Sequence, residues 1–270
     1  MKIAFIGGGN MAAALIGGLV ARDVAPASFV VVEPAALQRE TLRERFGVVA
    51  IESADVDALK GAELCVLAVK PQQMRAAIEG LGAALSGALV VSIAAGIRSA
   101  DVARWLDGHR RIVRAMPNTP ALIGRGVTGL YAAKELAEVD RDLAARTLSV
   151  VGEIVWVDAE PALDAVTAVS GSGPAYVFLL MEAMQQAACT LGLDERQARS
   201  LVLHTFAGAS ELAIRSDEPV ASLRKRVTSK GGTTAAALEV FDASPLRTIF
   251  VDALRAAERR GAQLGEEFGK

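Results

Sequence analysis

MKIAFIGGGNM, residues 1–11, opens the chain, and its reading decides the fold. Lys2 to Ile6 is a short, mostly apolar run of strand character, cut off by Gly7, Gly8 and Gly9. Ala12 to Val20, AAALIGGLV, then carries a helix-like pattern. A strand, a glycine turn and a helix in that order form the dinucleotide-binding opening G-x-G-x-x-G/A, here Gly7, Gly9 and Ala12. Each residue type has a physical reason. Gly7 permits the tight turn, Gly9 lets the backbone approach a pyrophosphate, and small Ala12 lets the helix sit close to the strand. The first helix amides, from Asn10 and Met11 onward, point unpaired at the anion.

Working outward, Phe29 to Glu33 is a second strand ending in an acid. Glu33 falls 24 residues after Gly9, close to the ~20-residue spacing at which a carboxylate holds the adenosine ribose hydroxyls. Leu37 to Phe46 reads as a helix and Val48 to Ala50 as a short strand. The run at 63–69, ELCVLAV, is almost continuously apolar, as a parallel strand covered on both faces requires. Met74 to Leu85 is expected to be helical. Further strands are expected at Ala88 to Ile93, Arg111 to Ala115, Val127 to Ala132 and Glu153 to Val157, with a helix from Glu138 to Val150. Strands alternating with helices mean a doubly wound parallel sheet. Ligands of such sheets sit outside the carboxyl ends of the strands. Gly7 to Gly9, Lys70-Pro71, Ala94 to Gly96 and Pro117 to Pro120 all break the pattern there.

Beyond Asp158 the strand pattern stops. Pro174 to Thr190, Asp194 to Arg215, Pro219 to Val227 and Arg247 to Leu264 read as helices. The expectation is therefore an α/β chain: residues 1–158 a Rossmann-type doubly wound dinucleotide-binding domain, residues 159–270 an all-helical dimerisation and substrate domain. At 270 residues two domains are expected, because single cores stop growing near ~250–300 residues. Charge points to no polyanionic partner: 29 Lys and Arg against 31 Asp and Glu give −2, no electrostatic footprint for nucleic acid or anionic lipid. The N-terminus lacks the pattern of a secretory signal, and no uninterrupted apolar run reaches ~18 residues. Cys65 and Cys189 are far apart and read as buried thiols in a reducing compartment, not as a disulfide or a metal site. No metal is expected, and the location read from these features is cytoplasmic.

The informative break in the second half is Val227 to Thr234, VTSKGGTT, followed by a helical run from Ala235 to Phe241. Two glycines flanked by hydroxyls at a helix start make a small anion nest. Amides around Gly232 to Thr234 can grip a carboxylate, with Ser229 adding a hydroxyl. The same spacing fits an ordinary capped helix, and spacing alone does not choose between them.

At this point a family resemblance becomes specific. IGGGNMA, AVKPQ, SIAAGI, RAMPNTPA, AVSGSGPAY and VTSKGGTTAAALEVF resemble, in order and over essentially the whole chain, the blocks of the pyrroline-5-carboxylate reductases. The resemblance implies reduction of a cyclic imine, L-1-pyrroline-5-carboxylate, to L-proline with NADPH or NADH. It also implies a homodimer assembling into a larger ring such as a decamer, with the substrate site where helices of two subunits meet. It assigns Ser229, Gly232 and Thr233 to the substrate carboxylate, the Thr234 hydroxyl to the ring nitrogen, and Glu160 to a substrate contact. It places Lys70, Pro71, Ala95 and Asn118 along the cofactor. A protonated C=N needs orientation more than a strong acid, so the absence of a catalytic-looking His or carboxylate pair agrees with it.

Two positions depart from the family pattern. Lys230 stands where many members have Pro. Glu33 stands where enzymes preferring the 2′-phosphorylated cofactor place a small polar or basic residue, which argues for NADH or mixed use unless Arg39 reaches back to compensate. His109 and His204 read as solvated or core histidines, Arg224-Lys225-Arg226 as a solvated helix face, and Trp105 and Trp156 as packing residues. A β-hydroxyacid dehydrogenase would carry a catalytic lysine on the first long helix of its second domain, and the run from Pro174 to Leu193 has none. A non-catalytic dinucleotide sensor and a reductase of a six-membered imine are the remaining alternatives.

Overall fold

The computed structural model describes all 270 residues. The strands are β1 (Ile3–Ile6), β2 (Phe29–Val32), β3 (Val49–Ile51), β4 (Leu64–Leu67), β5 (Leu89–Ser92), β6 (Ile112–Met116), β7 (Gly126–Ala132) and β8 (Gly152–Trp156). Among them run α1 (Asn10–Val20), α2 (Ala36–Phe46), α3 (Val56–Leu59), α4 (Met74–Ile78), α5 (Ser99–Trp105) and α6 (Glu138–Leu148). Helices alone follow: α7 (Ala162–Val166), α8 (Gly173–Thr190), α9 (Glu195–Ile214), α10 (Val220–Arg226), α11 (Thr233–Asp242) and α12 (Leu246–Phe268).

The eight strands form one sheet in the order β3-β2-β1-β4-β5-β6-β7-β8. The chain winds outward from β1 through β3 and returns to the other side of β1 as β4, so the switch point lies between β1 and β4. Ile6 pairs with Val32 on one side and Leu67 on the other, and all these strands run parallel. β1, β2, β4 and β5 are buried along their whole length. Alternate residues feed two cores: Phe5, Val31 and Val91 meet Leu15 and Ile16 on one face, whereas Ala4, Ile6 and Leu67 meet Met74, Ile78 and Trp105 on the other. This double burial is why the strands read as unbroken apolar runs.

The sheet is not parallel throughout. β7 runs antiparallel to β6, because the connection from Met116 to Gly126 holds only a 3₁₀ turn, Thr119–Ile123, too short for a crossover helix. β8 returns parallel to β7 after α6. The helix expected from Met74 to Leu85 ends at Ile78: Glu79 is extended and Gly80 takes a φ of +84°, a left-handed conformation that stops the helix. Trp105 is buried, but Trp156 is 37% exposed on the edge strand, with the Arg141 guanidinium over its ring. Cys65 is buried and its thiol is pushed up to about 12 by burial, while Cys189 is exposed, contrary to the expectation of two buried thiols.

Residues divide by compactness into two units, 1–172 with 255–270, and 173–254. Strands stop at Trp156, but the segment 159–172 and the last turns of α12 belong to the sheet unit, so compactness draws its line later than the end of the strand pattern. Within 173–254 only Ala198 and Val202 are buried. Phe178, Leu179, Leu212, Ile214, Val240 and Phe241 are all more than half exposed. The stretch Ala162–Thr190, with mean hydropathy 1.3 in its best window, is long and apolar enough to cross a membrane, whereas the sequence reading expected no span. Length and composition alone do not separate such a span from a helix covered by protein.

Candidate functional site

The glycine turn is built as its residue types require. Gly7 has φ +98°, and a Cβ there would lie 2.6 Å from the Ala68 carbonyl oxygen. Its amide donates to the Val32 carbonyl at 2.8 Å, and the Ala68 amide donates to Ile6 at 2.7 Å, closing the turn over the switch point. Gly8 is confined as well: a Cβ would meet Leu42 Cδ1 at 2.6 Å and Glu33 Cβ at 3.1 Å. Over Gly9 there is open space, with no atom within 4 Å of a Cβ position. Gly9 is also the N-cap of α1 and no side chain caps that helix. An uncapped helix start under an open glycine fits the pyrophosphate of a dinucleotide.

Around this turn the structure brings together the expected cofactor residues. Asn10 and Met11 begin α1; Lys70 and Pro71 follow β4; Ala95 follows β5; Asn118 follows β6. All sit at carboxyl ends of parallel strands. Lys70 is exposed and Ala95 half-buried. Asn118 is buried, and both ends of its amide are engaged: Oδ1 accepts from the Val127 amide at 2.9 Å and Nδ2 donates to the Ser170 carbonyl at 3.2 Å. Its side chain therefore ties the β6–β7 turn to the segment before α8.

Glu33 is held at every polar atom. Its amide donates to Ile51 at 2.9 Å, and its carbonyl accepts from Arg39 Nη1 at 2.8 Å. Its carboxylate accepts from the Gly8 amide at Oε2 and the Ala35 amide at Oε1, both at 2.9 Å. Arg39 does not reach the carboxylate. It donates to the Glu33 and Pro34 carbonyls and pairs with Glu52 at 3.3 Å. Gln38, which sequence reasoning missed, donates from Nε2 to the Gly8 carbonyl at 2.6 Å. No sequence signal marks it, since a glutamine on a polar helix face is ordinary.

The anion nest lies in the other unit. Gly231 has φ +72°, and Gly232 is the N-cap of α11 with no side-chain cap. With no side-chain cap, the first amides of α11, those of Thr233 and Thr234 among them, have no partner within the helix. A Cβ on Gly232 would lie 2.5 Å from Ser229 Oγ, so only glycine lets that hydroxyl close on the turn. Ser229 and Thr233 are exposed and Thr234 is half-buried. The Thr228 hydroxyl is engaged by the Arg224 carbonyl at 2.7 Å. Lys230 is exposed, as are Arg224, Lys225 and Arg226, the last paired with Glu218 at 2.6 Å.

Glu160 belongs to the sheet unit and is half-buried, with one of its two carboxylate oxygens engaged. Its Oε1 accepts from the Ser99 amide at 2.6 Å and pairs with Arg114 at 3.2 Å. Arg114 is buried on β6. Burial pulls its pKa below the usual arginine value, and the Glu160 charge opposes that pull. Arg98 and Asp164 form a second pair alongside, at 2.6 Å. An arginine inside an apolar strand run signals a buried partner, a clue available in IVRAM that sequence reasoning did not use. His109 and His204 take no part in either cluster. His204 is exposed on α9, and His109 is half-buried against the Arg111 carbonyl at 3.2 Å.

Residues 160–264 match the family model for pyrroline-5-carboxylate reductase dimerisation, and residues 2–96 match that of coenzyme F420-dependent NADP oxidoreductases. Over 270 residues the chain is 47% identical to the pyrroline-5-carboxylate reductase of Pseudomonas aeruginosa, spanning 100% of this chain and 98% of that protein. The chain belongs to the pyrroline-5-carboxylate reductase family. Its likeness to the pyrroline-5-carboxylate reductase of Arabidopsis thaliana is 34% identity, over 98% of this chain and 96% of that one. Among solved reductase structures, that from Coxiella burnetii superposes with a TM-score of 0.92 at 39% identity, over 97% and 98% of the two chains. The Plasmodium falciparum structure, solved with NADP bound, gives 0.85 at 27%, over 98% of each chain.

Proposed function

We propose that the chain is an NAD(P)H-dependent imine reductase, pyrroline-5-carboxylate reductase, which converts L-1-pyrroline-5-carboxylate to L-proline in the last step of proline biosynthesis. The observation that carries this reading is the uncapped start of α11, Ser229 to Thr234, in a chain that also holds an open glycine turn for a dinucleotide. One cradle suits a carboxylate and the other a pyrophosphate, the two anions this reaction brings together.

Ser229, Gly232 and Thr233 hold the substrate carboxylate through the α11 amides and the Ser229 hydroxyl. Thr234 directs its hydroxyl to the ring nitrogen and fixes which face of the imine carbon is presented. Gly7, Gly9, Asn10 and Met11 hold the pyrophosphate; Glu33 faces the adenosine ribose; Lys70, Pro71, Ala95 and Asn118 line the rest of the cofactor. When bound, the cofactor supplies a hydride to the imine carbon. The nitrogen carries its proton on arrival, so the chain contributes orientation and exclusion of water rather than acid strength. Glu160 is assigned a substrate contact by resemblance; Arg114 and Ser99 share its Oε1, and Oε2 is the oxygen that would face the substrate.

The span 159–270 is read as the dimerisation and substrate domain, supported by the family match at 160–264 and by the apolar side chains that 173–254 leaves exposed. A second copy covers those side chains, which also accounts for the apolar stretch at 162–190 without a membrane. Assembly to a ring such as a decamer, a cytoplasmic location, and independence from nucleic acid and lipid complete the proposal. The test is oxidation of NADH and of NADPH by the purified chain with L-1-pyrroline-5-carboxylate, with L-proline as the product. Absence of turnover with both cofactors overturns the reductase reading.

A further inference from the structure

We propose that the turn after β2 selects the cofactor whose adenosine 2′-hydroxyl is free, NADH over NADPH, with Glu33 as the specificity-determining residue; its kinetic consequence rests on the reductase reading above. The Glu33 carboxylate offers about four lone-pair positions. Two are taken, one on each oxygen, by the Gly8 and Ala35 amides. One position on each oxygen remains, the pattern that a vicinal 2′,3′-diol satisfies with its two hydroxyl donors.

The same geometry works against a 2′-phosphate. The carboxylate cannot swing aside without abandoning two backbone amides, and Glu33 is fixed through its own amide and carbonyl as well. A phosphate brought to the ribose position meets a negative charge that stays in place. The arginines of α2 that would answer it are engaged elsewhere. Arg39 is 12% exposed and serves the Glu33 and Pro34 carbonyls and the Glu52 carboxylate. Arg43 donates to the Ala50 carbonyl, and Arg45 stacks on the Phe46 ring at 4.9 Å. Reaching back with Arg39, the compensation that sequence alone left open, would break its three contacts at once.

The experiment titrates NADH and NADPH into the full-length chain without substrate, following cofactor fluorescence, and measures turnover with both in parallel. The expected result is binding of NADH tighter than NADPH by about tenfold or more, a gap that narrows as salt screens the carboxylate–phosphate repulsion. Glu33→Gln keeps the shape and an acceptor for the Gly8 amide, and is expected to bring the two affinities within about twofold to threefold of each other. The salt series on the unaltered chain serves the same purpose should that variant fold poorly. Equal or tighter binding of NADPH by the unaltered chain overturns the selection, as does failure to bind either cofactor. NADH-selective binding without turnover supports the selection and overturns the reductase reading; turnover that favours NADPH does the reverse.

Discussion

The amide of Gly8 donates to Glu33 Oε2 at 2.9 Å, joining the middle of the glycine turn to the acid that ends β2. Gln38 holds the other face of the same residue through its carbonyl. The glycine turn and the turn after β2 are thereby joined through both polar backbone groups of one residue, Gly8. A change at either turn is therefore felt at both cofactor positions.

Gln38 bonds the Gly8 carbonyl and carries no charge, so its role separates from that of Glu33. Gln38→Leu removes one hydrogen bond, a net effect of about 0.5–1.5 kcal/mol. Dissociation constants for NADH and NADPH are expected to rise together by that amount, with their ratio unchanged. A ratio that shifts as it does in Glu33→Gln would make Gln38 a second selectivity residue instead.

Gly7 is required by both space and conformation. At φ +98° and with the Ala68 carbonyl oxygen 2.6 Å from the new methyl, Gly7→Ala strains the backbone and forces β1 and β4 apart at the switch point. A loss of about 2 kcal/mol or more is expected, read as a lower Tm together with loss of cofactor binding. Gly61, also at positive φ but with no neighbour near its Cβ position, should tolerate alanine with the smaller cost of about 1 kcal/mol and unaltered binding.

Stability should carry a signature of His109. Burial, the largest influence, lowers its pKa below the ordinary 6.5, although the Arg111 and Ala88 carbonyls act the other way. A folded-state pKa below the unfolded one means that the unfolded chain binds more protons, so stability rises with pH. The contribution is complete above about pH 6.5 and is lost as pH falls through the depressed folded value. Tm measured from pH 7.5 down to 5 should fall less steeply in His109→Gln than in the unaltered chain. Parallel curves would show that other groups set the slope.

Most of this architecture was legible because its elements announce themselves locally. Parallel strands covered on both faces need unbroken apolar runs, and Gly7 to Gly9 need the tight turn. Direction was not legible: apolar periodicity in GVTGLYA is the same whether β7 runs with β6 or against it, and only the short connection decides. Side-chain engagement was not legible either. Asn118 and Glu160 stand in the right blocks, yet their partners, Ser170 and Arg114, come from elements far along the chain. At Ser229 to Thr234 the spacing of glycines and hydroxyls fitted an anion nest and a capped helix equally, and the lack of a capping side chain on α11 was not legible.

Thr234→Ala isolates the assignment to the ring nitrogen. The Thr234 amide stays, so the grip on the carboxylate is retained and the KM for substrate should change little, while loss of orientation lowers kcat by about a hundredfold. Cofactor binding, made in the other unit, should be unaltered. Unchanged kcat removes Thr234 from the reacting end of the site.

Glu160→Ala distinguishes a structural carboxylate from a substrate contact. Arg114 is 4% exposed and Glu160 19%, so the alanine leaves a buried guanidinium with its nearest carboxylate gone and the Ser99 amide without an acceptor. Breaking such a pair from one side costs about 3–5 kcal/mol, although Asp164 beside Arg98 softens the loss of charge. The expected result is a marked fall in Tm, with KM for the imine unchanged in the fraction that remains folded. Replacing both partners, Arg114→Met with Glu160→Leu, removes the unpaired charge and should recover much of the Tm. If Glu160 instead held the substrate, the single variant would keep its Tm and raise KM, and the double variant would raise KM further without restoring anything. The two outcomes differ in which quantity moves, so a melting curve and a substrate titration on the same two variants decide between them.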